Sequence, residues 1–170
     1  FEMLNGSVLT SSNDITTDER FDFVGSDSRL SALTQPDSLK TFLTSSAQKF
    51  DVVIVDTPST IDPRLAMAFH AADAVVIPVG ASIHSVRGGI STNRIESKAR
   101  KFILPTDGFD LSKASHFESA KVVDALIPLS TGLDVALIQK RSALSTDKNS
   151  EFAEAYREAA YSILEELNHF

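Results

Sequence analysis

Residues 50–79, FDVVIVDTPSTIDPRLAMAFHAADAVVIPV, decide the fold. Two continuous apolar runs, Val52 to Val55 and Ala74 to Val79, are too hydrophobic to alternate and too short for a typical helix. Both therefore read as strands buried on both faces. Between them Pro63 to Ala72 carries a helical pattern. Asp62 stands at its cap position and Pro63 in its first turn, where a missing N–H costs nothing. A strand, helix, strand unit with so short a crossover predicts parallel strands joined right-handedly. The expected fold class is α/β, a mostly parallel doubly wound sheet with flanking helices. Ligands of such sheets gather at the carboxyl ends of the strands, and the first apolar run ends in Asp56-Thr57-Pro58.

Asp56 admits two readings. A carboxylate at the mouth of a dry sheet can hold Mg²⁺, directly or through water, beside the β and γ phosphates of a nucleotide. It can also be a solvated strand end that opens a turn with Pro58. The wider pattern favours the first. FDVVIVDTP, a helix and then AADAVVIPV resembles the ParA/MinD family of deviant-Walker ATPases, in which a buried strand ending in Asp-Thr-Pro precedes a helix and a second strand ending in Pro-Val. That family carries its phosphates on a glycine-rich loop with two lysines, and no Gly-Lys dipeptide occurs at any of the seven glycines here. The resemblance thus implies a P-loop NTPase-like domain over residues 1–170, incomplete at its N-terminus, with the Walker A segment expected upstream. A chain that begins with Phe1 fits a fragment or processed product.

Composition bounds the alternatives. A chain of 170 residues, 42% hydrophobic and 23% charged, fits one soluble domain with a sizeable core. A net charge of −7 argues against a broadly basic nucleic-acid surface. The absence of cysteine excludes disulfides, thiolate zinc sites and iron–sulfur clusters, and agrees with a cytoplasmic location. No apolar run is long enough to span a membrane, and no leader pattern opens the chain. With no cysteine in the chain and no second histidine close by, none of the four histidines suggests a metal site.

Upstream of the opening stretch, Phe1 to Leu4 with Asn5-Gly6 reads as a helix end, and residues 7–20 as a polar loop with Ile15 as its anchor. Phe21 to Val24 alternates like a short strand and runs into a small-residue turn, Gly25 to Ser28. Pro36 to Lys49 is a predicted helix, with Thr34 at its cap and Leu39, Phe42, Leu43 and Ala47 on one face.

Downstream, Ser82, His84 and Ser85 form a polar loop without the G-x-S-x-G elbow or the acid of a nucleophilic triad. Residues 90–102 fork. Ile90 to Ile95, ISTNRI, resembles the family strand that ends in Asn-Arg near adenine, which would make Asn93 and Arg94 base contacts. The alternative is one helix from Ser85 to Phe102. Gly88 and Gly89 weaken the helix and three β-branched residues favour the strand, so the strand is expected. Arg94, Lys98, Arg100 and Lys101 form the main basic cluster, readable as a nonspecific DNA contact or as a solvated helix face. Ile103 to Lys113 reads as a loop, and Lys121 to Pro128 as a short buried strand. IPLSTGLDVALIQKRSAL, residues 127–144, resembles the family segment whose proline backbone packs on adenine, which makes Pro128, Leu129 and Ser130 implied base contacts. Asp147 to Leu167 closes the chain as an amphipathic helix with Phe152, Tyr156, Ala159, Ile163 and Leu167 in one stripe. Its glutamates 151, 154, 158, 165 and 166 argue against a membrane anchor.

The resemblance implies a ParA-type ATPase of plasmid or chromosome partition that binds ATP and Mg²⁺. Asp56 is then the catalytic and metal-side acid, Thr57 and Pro58 sense the nucleotide, and Asn93, Arg94 and Pro128 to Ser130 hold the base. The implied partners are a second copy when ATP is bound, a ParB-like activator protein and nonspecific DNA. By itself the chain is expected to be inactive, because phosphoryl transfer depends on charge neutralisation that the loop lysines supply. The alternative is a degenerate, non-hydrolysing ParA-like scaffold that binds partner proteins.

Overall fold

The computed structural model describes residues 15–16, 22–25, 35–46, 50–130, 138, 142, 144 and 147–168. Two compact units emerge: Phe1–Asp73 with Ser97–Ala99, and Ala74–Glu96 with Arg100–Phe170. The expectations for Phe1 to Gly6, Ser26 to Ser28, Thr34 and most of 131–146 lie outside the described residues.

In the first unit, β1 (Ile15–Thr16) pairs antiparallel with β2 (Asp22–Phe23), so a short strand lies within the stretch read as a loop. Helix α1 (Ser38–Ser46) falls inside its expected bounds. Residues 50–57 correct the opening expectation, because the Val52 to Val55 run forms no strand. Val52, Val53, Ile54 and Val55 are exposed, Ile54 at 88%. An apolar run specifies a wish for burial, but a strand exists only through a ladder, and among the described residues nothing pairs with this one. Helix α2 (Pro63–Ala71) forms as predicted, burying Leu65, Met67, Ala68 and Phe69. Its last turn leaves carbonyls without helical donors. The Ser97 hydroxyl donates to one of them, Phe69 O, at 2.9 Å. His70 Nε2 lies 2.7 Å from Asp37 Oδ1, tying α2 to the residue before α1.

The second unit is the α/β sheet. Strands β3 (Ala74–Val79), β4 (Arg100–Pro105) and β5 (Lys121–Val122) run parallel in that order. Helix α3 (Ile83–Asn93) connects β3 to β4, a 3-10 segment (Leu111–His116) lies between β4 and β5, and α4 (Glu151–Glu166) follows. Two sequence expectations fall here. Ile90 to Ile95 is not a strand, since residues 90–93 are the last turn of α3. Residues 103–113 are not a loop throughout, since Ile103 to Pro105 completes β4.

Side chains of β4 alternate between two cores. Phe102 and Leu104 join Val123, Ile127 and the Phe152, Ala155 and Ala159 stripe of α4. Ile103 points the other way, into Ile77, Val79, Val86, Phe109 and Phe117 beneath α3. The sheet is thus covered on both faces. Gly89 sets how closely α3 approaches: a Cβ there would stand 2.7 Å from Val79 Cγ2 and 3.1 Å from Phe117 Cε1. The Thr106 N–H donates to Val79 O, so the Val79 backbone faces β4 and the neighbouring Pro78 nitrogen faces the other edge. A residue without an N–H is tolerated there, where no ladder bond is needed.

Candidate functional site

Parallel strands put their loops at one edge, and this edge is where α/β sheets bind ligands. In the second unit the turn after β4 organises it. Thr106 to Phe109 is a turn with a Phe109 N–H to Thr106 O bond of 3.1 Å. Its central residues, Asp107 and Gly108, have φ of 48° and 67°. That is the type I′ pattern, which Asp-Gly suits because both members tolerate positive φ. The turn binds its neighbours through its backbone. Asp107 N–H donates to Ile127 O at 3.0 Å, and Asp107 O accepts from the Ala81 N–H at 3.3 Å. An isolated parallel bridge, Thr106 to Ile127, carries the β4–β5 pairing one step further. The loops after β3, β4 and β5 are thereby joined.

Pro128, Leu129 and Ser130 follow directly on that bridge, with Leu129 at 81% exposure. Asn93 and Arg94 are elsewhere. Helix α3 leaves the carboxyl end of β3 and returns to the amino end of β4, so its last residue and its cap, Arg94, sit at the opposite edge. Asn93 is buried, its Nδ2 donating to Glu118 O at 2.8 Å while Oδ1 has no partner among the described residues. Its role there is to fasten the end of α3. The helix also begins with firm caps: Ser82 Oγ accepts from the Ser85 N–H, and Ser85 Oγ accepts from the Gly80 N–H at 2.8 Å.

The basic cluster divides. The Lys101 ammonium donates to Asn93 O and Ile95 O, both at 2.6 Å, neutralising the carbonyl end of α3. Arg100 donates to Glu166 O at the end of α4, and the Glu166 carboxylate takes Lys121. That bond, helped by the charges of Lys121 and Arg100, holds the Glu166 carboxyl below its usual range. Arg94 and Lys98 are exposed and make no ion pair among the described residues.

In the first unit Asp56 and Thr57 are exposed and Pro58 half-buried. The acid engaged at the start of α2 is Asp62. Its carboxylate accepts from the Arg64 N–H at 2.8 Å and the Leu65 N–H at 3.4 Å, and Arg64 returns its guanidinium to the same group. The Arg64 side chain, with those amides, lowers the Asp62 carboxyl to about 2. Sequence reading identified the cap and missed the arginine, although Asp-Pro-Arg states both. It also missed Thr106 and Asp107, whose signal was a second apolar run ending in proline, Phe102 to Pro105, ahead of an Asp-Gly turn.

A Mg²⁺–nucleotide group needs a phosphate cradle and acids beside it. Asp56 supplies one exposed carboxylate, no group of three metal-binding side chains gathers among the described residues, and no Gly-Lys occurs in the sequence. These residues do not make up that site on their own. Among the described residues no helix is long and apolar enough to cross a membrane. Compared with known proteins, residues 3–102, more than half of the chain, match the family model of an AAA domain. No curated protein matches the chain.

Proposed function

The chain belongs to the AAA-domain family, of P-loop ATPase-like character, and we propose that it is a ParA-type ATPase domain that acts in plasmid or chromosome partition in the cytoplasm. The observation that supports this is the match over residues 3–102, which takes in Asp56-Thr57-Pro58 and the α2–β3 segment after it. Asp56 is the metal-side acid in this reading, with Thr57 and Pro58 as nucleotide sensors. Pro128 to Ser130 provide the base side. The turn of Thr106 and Asp107 lies beside that segment, and Asn93 and Arg94 stand at the opposite edge of the sheet. A second copy and a ParB-like activator are the protein partners. Nonspecific DNA contact falls to Arg94 and Lys98, since Arg100 and Lys101 serve internal carbonyls.

The second reading is a non-hydrolysing scaffold for partner proteins. One experiment separates the two. The chain is expressed with whatever coding sequence adjoins Phe1, and Mg²⁺-dependent binding of a fluorescent ATP analogue is measured along with phosphate release. The ATPase reading expects binding and turnover, with Asp56→Asn weakening Mg²⁺ affinity about 10–100-fold, the range for outer-sphere metal partners. Neither binding nor turnover would leave the scaffold.

A further inference from the structure

The turn that joins the three loops contains an Asp-Gly pair. Asp107 is followed by Gly108, both are exposed, and a Cβ placed on Gly108 would meet nothing within 4 Å. The Gly108 N–H makes no hydrogen bond among the described residues, and neither does the Asp107 carboxyl. The neighbouring amides, those of Asp107 and Phe109, are both engaged. Without a side chain on Gly108 or a hydrogen-bond partner for its N–H, nothing crowds or holds that nitrogen against approach to the preceding carboxyl. Asp107 is moreover a non-glycine residue at φ 48°, a conformation that side chains with a Cβ adopt at some cost.

We propose that Asp107-Gly108 is a site of spontaneous isoaspartate formation, and that conversion there releases the loops after β3 and β5 from the turn. In the first step the Gly108 nitrogen attacks Cγ of the protonated Asp107 carboxyl. The N–Cγ bond forms, the carboxyl hydroxyl and the amide proton leave as water, and a cyclic imide remains. Water then adds to one imide carbonyl. Opening at the backbone carbonyl routes the main chain through Cγ and inserts a methylene into it, with no net change in composition. No oxidant, metal or enzyme is required.

The consequence follows from the bonds already described. The carbonyl that accepts from Ala81 becomes a free α-carboxylate, and the amide that donates to Ile127 is displaced by the longer chain. A left-handed turn of fixed length cannot absorb an extra backbone carbon and keep both bonds.

The test is ageing of the full chain at neutral pH and physiological temperature, followed by peptide mapping that separates the Asp and isoaspartate forms of each peptide. Isoaspartyl methyltransferase provides an independent count. Asn5-Gly6, the other such pair, is scored by its own peptide. The expected result is isoaspartate at 107 in the folded chain, abolished by Asp107→Glu, whose ring closure is slower, and several-fold faster in Asp107→Asn, which expels ammonia. Hydrogen exchange of the aged chain should show lost protection at the Ala81 amide. Retention of ordinary aspartate at 107 in the folded chain, while urea-unfolded chain converts, would overturn the site. Conversion with Ala81 still protected would overturn its consequence. The wild-type measurement stands alone if either variant fails to fold.

Discussion

Among the described residues, Asp62 carries the clearest pH dependence. Its carboxyl sits at about 2 in the folded chain, against 3.8 for the ordinary group. A depressed carboxylate stabilises the fold above its unfolded value and loses that contribution as pH falls through the folded one. Amide protection across the first turn of α2 should therefore hold above pH 3.8 and decline from there through about 2. Asp62→Asn keeps the acceptor and should flatten that profile in an NMR titration. Two adjacent glycines make an equally direct test. Gly89 has Val79 and Phe117 against it, and Gly88 has open space. Gly89→Ala should destabilise the second unit by ~1–3 kcal/mol through overpacking. Gly88→Ala should stabilise it by ~0.5–1 kcal/mol, because a helical residue loses less entropy than glycine on folding. Urea unfolding of both variants measures the difference. In the sequence the pair looked like one weakness in a helix; the structure shows that one of them is the condition for the helix's position.

Elements specified by local chemistry were the legible ones. Helix α2 carries its cap, its proline and its apolar stripe within its own residues, and it forms where expected. Strand β3 announces itself by an unbroken apolar run. Strand β4 was hidden because Arg100 and Lys101 open it, and their role, sealing the ends of α4 and α3, depends on elements far away in sequence or on a turn still to be placed. Residues 90–95 misled for a related reason: β-branched propensity is weak beside a capped helix start at Ser82 and a buried Asn93 at its end. The Val52 to Val55 run shows the converse, a strong local signal with no ladder among the described residues. Two substitutions separate apolar character from burial. Ile103→Ala, at a fully buried position, should cost ~2–5 kcal/mol. Ile54→Lys, at a position 88% exposed, should change stability by less than ~0.5 kcal/mol and lower the binding of a hydrophobic dye.

At the scale of the molecule, the fold class was legible while the turns that join the sheet's loops were not. A parallel sheet with helices on both faces is what β3, β4 and β5 form, although the Val52 to Val55 run that helped to predict it joins no strand. A binding edge is different, because it is assembled from turns that meet only once the strands align. The Asp107 bonds to Ala81 and Ile127 are of that kind. The close contact of Gly89 with Val79 has a further consequence, for the route by which the chain folds. Strand β3, helix α3 and strand β4 are consecutive, and their six residue pairs keep one constant offset, so this unit closes with a smaller loop penalty than any pairing that involves α4. Folding should begin there. In stopped-flow chevrons, Gly89→Ala and Ile103→Val should slow refolding, whereas Ala159→Gly in α4 should chiefly accelerate unfolding, which places the approach of α3 to β3 early in folding.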